Sequence, residues 1–126
     1  MPFYSPEDHT ISTLILDATC DLRADQKGEL SKTDKTFLEQ FTACKHLSMQ
    51  GLGLQSLRNM PQLPNLIELR LADNLLNGDD LYQLQQYTRL RVLDLSNNQI
   101  KDFDHLLSLK NKLNNLVQVR LSANPV

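Results

Sequence analysis

One pattern constrains this chain more than any other feature. L-x-x-L-x-L-x-x-N-x-L recurs along most of its length, the mark of a fold built from stacked copies of one structural unit. Two copies are nearly complete: Leu66, Leu69, Leu71, Asn74 and Leu76, then Leu90, Leu93, Leu95, Asn98 and Ile100. A third runs through Leu116, Val119, Leu121, Asn124 and Val126, and a weaker one through Cys44, Leu47, Met49, Leu52 and Leu54, with leucine in the asparagine position. The array opens on Ile11, Leu14, Leu16 and Thr19. Successive copies start 33, 22, 24 and 26 residues apart, so the first interval is long and the rest fall in the range of leucine-rich repeats.

The physics of the pattern gives an architecture. In each x-L-x-L-x stretch alternate side chains point to opposite faces, so the leucines bury and the intervening residues face solvent. No copy can bury its apolar side alone, whereas stacked copies share a continuous core under a parallel sheet. The predicted fold is therefore α/β: a right-handed leucine-rich-repeat solenoid, its parallel β-sheet on the concave face and short helices and loops on the convex face. The chain reads as one domain over residues 1–126, with repeats at 11–43, 44–65, 66–89, 90–115 and an incomplete 116–126. Asn74, Asn98 and Asn124 then stack one above another, and an amide there can satisfy turn backbone groups of its own and the adjacent repeat. They are read as a structural ladder.

Between strands the chain must return along the convex side. Asp79 and Asp80 are expected to cap a short helix in DDLYQLQQY that turns Leu81 and Leu84 to one side. Phe103, Leu106, Leu107 and Leu109 suggest the same in the next return, and Leu30, Phe37, Leu38 and Phe41 in the long first one. Ser5, Pro6, Glu7 and Asp8 read as the start of a helix covering the N-terminal end of the core.

Catalysis needs converging groups, and none converge. His9, His46 and His105 share no short metal spacing with cysteine or with one another. Asp79 with Asp80, and Asp102 with Asp104, open return segments where helix capping accounts for them. Gly51 and Gly53 are followed by no phosphate-loop lysine. Cys20 and Cys44 suit neither a disulfide framework nor a four-ligand zinc site, and are read as core thiols in a reducing compartment. No cofactor, no metal and no enzymatic activity are expected. Acidic and basic residues are scattered to a formal net charge of -2, which gives no sustained field for nucleic acid or a membrane surface. No window approaches the roughly 18 apolar residues of a membrane span. A soluble intracellular protein that binds another protein is the resulting expectation.

The binding face follows from the register. The position between the strand leucines holds Ile15, Ser48, Arg70, Asp94 and Arg120, and the position before them Thr13, His46, Glu68, Val92 and Gln118. The predicted contact surface is His46, Ser48, Glu68, Arg70, Val92, Asp94, Gln118 and Arg120, in which Arg70, Asp94 and Arg120 form a ladder of alternating charge.

Beyond the repeat itself, the order of irregular spacings resembles the acidic leucine-rich nuclear phosphoprotein family. YSPEDHTISTLILDATC is similar to its opening helix and first strand, and GELSKTDKTFLEQFTACKHLSMQGLGLQSL to its long first return and second repeat. LPNLIELRLADNLLNGDDLYQL and LRVLDLSNNQIKDFDHLLSLKNKLNNL are similar to the third and fourth repeats. The resemblance implies proteins of nucleus and cytoplasm that chaperone histones, inhibit a serine/threonine phosphatase catalytic subunit and restrain histone acetylation. By the same comparison the sequence stops inside the fifth repeat, without the family's C-terminal cap and acidic tail. Weakened histone attraction and self-association through the uncapped C-terminal end are expected from that. The alternative is a scaffold like the spliceosomal A-prime protein, which has a similar repeat set and clamps an RNA-recognition-motif protein. The long first return favours the acidic phosphoprotein pattern.

Overall fold

The computed structural model describes residues 10–18 and 28–125. The readings made for Ser5 to Asp8, His9, Thr19, Cys20 and Val126 lie outside the described residues. Five strands, β1 (Thr13–Ile15), β2 (His46–Ser48), β3 (Glu68–Arg70), β4 (Val92–Asp94) and β5 (Gln118–Arg120), form one parallel sheet in chain order. Each pairing joins the same place in the repeat, so Leu14 stands beside Leu47, then Leu69, Leu93 and Val119.

Strands this short hold because their inward side chains belong to one core. Leu14, Leu47, Leu69 and Leu93, with the next row of Leu16, Met49, Leu71 and Leu95, are all buried. Val119 and Leu121 in the fifth repeat are only partly buried against that core. The non-helical stretch after β2 adds Leu57, Met60 and Leu63, which the repeat pattern does not mark. Tyr87 is buried beside them and donates its hydroxyl to the Pro61 carbonyl at 2.6 Å.

The asparagines bridge neighbouring repeats inside the structure. Asn98 Nδ2 donates to the carbonyls of Leu71 and Leu95, each at 3.0 Å, and its Oδ1 accepts from Leu76 N. Asn74 joins Met49 and Leu71 in the same way and accepts from both Leu52 N and Leu54 N. Asn124 joins Leu95 and Leu121 and accepts from Ile100 N. Every one of these backbone groups sits where the chain leaves a strand and has no sheet partner of its own, so the amide supplies what burial would otherwise leave unmet.

The residue before each ladder position turns left-handed. Ala18, Gly51, Asp73, Asn97 and Ala123 have φ of 49°, 68°, 60°, 54° and 60°. Such a turn is strained for residues with a Cβ, less so for Asn and Asp, and unstrained for Gly. Asn97 also donates to Asp73 Oδ1 at 2.8 Å. It is therefore an ordered turn residue and not an idle surface side chain.

Three helices fill the described returns. Helix α1 (Lys32–Leu38) is capped by Ser31, whose side chain accepts from Asp34 N. The second is a 3-10 helix, Gly78–Gln86, and its cap is Asn77, not the Asp79 and Asp80 expected from sequence; Asp80 closes the capping box on Asn77. Its inward residues Gly78, Leu81, Leu84 and Tyr87 recur every third position, the period at which a 3-10 helix keeps one face inward. Helix α2 (Phe103–Lys112), capped by Asp102, buries Leu106 and Leu109, whereas Phe103 and Leu107 are exposed. The four were expected on one inward face. A helix turning 100° per residue carries 103 and 107 round to the solvent side of 106 and 109.

Candidate functional site

The sheet presents one face to the core and the other outward. On the outward face His46, Glu68, Val92 and Gln118 stand beside one another, as do Ser48, Arg70, Asp94 and Arg120. All eight sequence-predicted contact residues thus lie on one surface, but not all are equally open. Ser48 and Asp94 are nearly buried, with 8% and 9% of their surface exposed.

The expected ladder of alternating charge is in register, yet its members are not paired with one another. Arg70 Nε donates to Glu68 Oε2 along its own strand. Asp94 Oδ1 accepts from Ser96 N at 3.0 Å, closing the turn after β4. Among the described residues Arg120 has no acidic partner within ion-pair distance. Side chains two positions apart on one strand share a face about 6.6 Å apart, a span that the long Glu68 and Arg70 side chains close, whereas Asp94 is shorter and is engaged by Ser96 N.

Glu68 also meets His46 Nδ1 at 3.5 Å, which makes it the centre of a His46, Glu68 and Arg70 cluster. Burial pushes its carboxyl upward, but the hydrogen bond and charge of Arg70, followed by those of His46, outweigh this and hold it below the ordinary value. The carboxylate is thus retained under mildly acidic conditions.

A second cluster joins β1 to β2. Asp17 Oδ1 accepts from Ser48 Oγ at 2.6 Å and from Gln50 N at 2.9 Å, and Gln50 Nε2 donates to Ser48 Oγ at 3.1 Å. Sequence reasoning missed Asp17 and Gln50. Continuing the strand alternation one step, from 13 and 15 to 17 and from 46 and 48 to 50, would have found both. The two clusters line an open depression of about 440 Å³, together with Thr13 and Ile15. Ile15 is 58% exposed.

The other reactive candidates are placed elsewhere. Cys44 is in the core, its thiol pushed up to about 11 by burial against weaker backbone hydrogen bonds. His105 packs on Gly78 on the convex side and meets Asp79 Oδ1 at 3.0 Å. Among the described residues no group of three or more His, Cys, Asp or Glu is placed to hold a metal ion, and no helix is long and apolar enough to cross a membrane.

Comparison with known proteins agrees with this geometry. A family model for two copies of leucine-rich repeats matches residues 88–126. Acidic leucine-rich nuclear phosphoprotein 32-related protein 1 of Oryza sativa subsp. japonica is 43% identical over 75 residues, 59% of this chain and 16% of that protein. Acidic leucine-rich nuclear phosphoprotein 32 family member A of Drosophila melanogaster is 38% identical over 86 residues, 68% of this chain and 32% of that protein. The chain therefore spans less than a third of either relative's length. Among solved structures, internalin C2 of Listeria monocytogenes aligns over 95% of this chain and 46% of its own, with a TM-score of 0.63 and 25% identity. The chain is a leucine-rich-repeat protein, and over part of its length it is similar, at moderate identity, to the acidic leucine-rich nuclear phosphoprotein 32 family.

Proposed function

We propose that this chain is a non-enzymatic binding module that receives a protein partner on the outward face of its sheet. Histones or a phosphatase catalytic subunit are the partners this reading names, and nucleus and cytoplasm are where it acts. The observation that carries it is the sheet itself. Five strands in one register set His46, Glu68, Arg70, Val92, Gln118 and Arg120 side by side on a rigid backing, and extended surfaces of stacked repeats are where such folds bind. The similarity to proteins named as nuclear phosphoproteins supports the nuclear part of the compartment. Ser48 and Asp94 support the face from beneath, through hydrogen bonds to Asp17 and Ser96.

Titration of the labelled chain with purified histones, and separately with a phosphatase catalytic subunit, tests the reading. Saturable binding to either supports it. Absence of binding to both, with an intact fold by circular dichroism, overturns the partner assignment.

A further inference from the structure

The depression over β1 to β3 has an imbalance of hydrogen-bonding groups that names what it would take. The donors nearest Asp17 are consumed internally: Ser48 Oγ and Gln50 N donate to Asp17 Oδ1, Gln50 Nε2 donates to Ser48 Oγ, and on the far side Arg70 Nε donates to Glu68. Acceptors are left over. No described residue donates to Asp17 Oδ2 or to Gln50 Oε1. Asp17 and Glu68 put two carboxylates on the lining against one guanidinium, that of Arg70. Beside these acceptors lies Ile15, a large apolar side chain held out to solvent. A carboxylate next to an exposed aliphatic surface matches a group that carries a charged, donor-rich head on an alkyl stem.

We propose that this depression is the anchor site for one basic side chain, arginine or lysine, of an extended partner segment; the proposal rests on the outward sheet face being the binding surface. The head group donates to Asp17 Oδ2 and Gln50 Oε1, and the stem lies on Ile15. Asp17 is already fixed by two hydrogen bonds, so little ordering is needed when the cation arrives. Glu68, held by Arg70 and His46, adds negative potential from the next strands without making the direct contact. An acidic side chain placed against Asp17 would be repelled by its carboxylate.

The test uses the whole chain and short synthetic peptides, acetyl-Gly-Leu-Arg-Leu-Gly-amide with its lysine, citrulline and glutamate counterparts, followed by amide chemical shifts. The arginine and lysine peptides are expected to shift Ile15, Asp17, Ser48 and Gln50 saturably, and the citrulline and glutamate peptides are not. Asp17→Asn keeps an oxygen for Ser48 and Gln50 N while removing the charge, and should weaken the cationic peptides about ten-fold. Ile15→Ala, at an exposed position, should weaken them about three-fold with the fold intact. Equal binding of the glutamate peptide, or affinity unchanged in both variants, overturns the anchor site. If a partner protein binds Asp17→Asn normally but loses affinity on Arg70→Glu or Arg120→Glu, the anchor falls and the outward-face reading stands. Indifference to all of these changes removes both.

Discussion

The joint between the first two repeats differs from the joints between the later ones. From the second repeat onward, neighbours are tied from within: Asn74, Asn98 and Asn124 each bond a carbonyl of their own repeat and one of the repeat before. In the second repeat Leu52 occupies the ladder position, and leucine has no amide to reach back with. There the tie is on the outside, where Asp17 takes Ser48 Oγ and Gln50 N across the strands. An internal tie leaves the outer face free of obligations. An external tie puts a fixed carboxylate on the very face that can meet a partner, and that is where the depression lies.

The comparison can be broken in several places. The largest effect belongs to the shared core, where Leu71→Ala or Leu95→Ala should cost about 2 to 5 kcal/mol through lost contacts and a cavity. Both leucines have no exposed surface. Urea denaturation that left both midpoints unmoved would mean the two rows of leucine are not the common core.

Asn98→Ala strands the Leu76 amide and removes one of two donors from each of the Leu71, Leu95 and Ser96 carbonyls, which keep Asn74, Asn124 and the Asp73 amide, and should cost about 1 to 3 kcal/mol. Asn97→Ala is milder, about 0.5 to 1 kcal/mol, through its left-handed φ and its bond to Asp73. Alanine already occupies the same turn at Ala18 and Ala123. Equal losses at 97 and 98 would remove the internal tie from the explanation.

Ser48→Ala should cost about 1 kcal/mol, since it deletes one hydrogen bond of the external tie and leaves Asp17 its bond from Gln50 N. Hydrogen exchange should show the loosening at β1 and β2 and not at β4. A loosening spread evenly along the sheet would erase the distinction between the joints.

Acid should act more gently still. Glu68 is held below its ordinary value of 4.5 in the folded chain. Its contribution is therefore present above that value and lost as pH falls through the folded one. The urea midpoints of the parent and Glu68→Gln should differ slightly at about pH 7 and converge as pH falls through the lowered folded value. A gap that widened on acidification would contradict the His46, Glu68 and Arg70 cluster.

Much of this was legible in the sequence because one spacing rule governs both faces of a strand. Fixing Leu69 and Leu71 as inward fixes Glu68 and Arg70 as outward, and the ladder asparagines follow at a constant offset. What was not legible depends on competition between near neighbours. Nothing in the spacing says that Arg70 turns to Glu68 and away from Asp94, or that Asp94 turns down to Ser96. Asn77 outbid Asp79 as a cap because the helix begins at Gly78, where a chain with no Cβ lets the His105 ring sit close. Leu57, Met60 and Leu63 recur every third residue in a stretch that forms neither helix nor strand, and only the folded chain shows them to be core.

The central claim is that the outward sheet face, and not the convex side, meets the partner. Charge reversal at Arg70 and Arg120, with Lys110 and Lys112 of α2 as convex controls, tests it most directly in a titration with the protein partner. Arg70, Arg120, Lys110 and Lys112 are all exposed, so thermal stability should barely change in any variant. The account predicts altered binding for Arg70→Glu and Arg120→Glu, tighter for a basic partner and weaker for an acidic one, and unchanged binding for Lys110→Glu and Lys112→Glu. Binding lost on the convex changes and kept on the outward ones would contradict it.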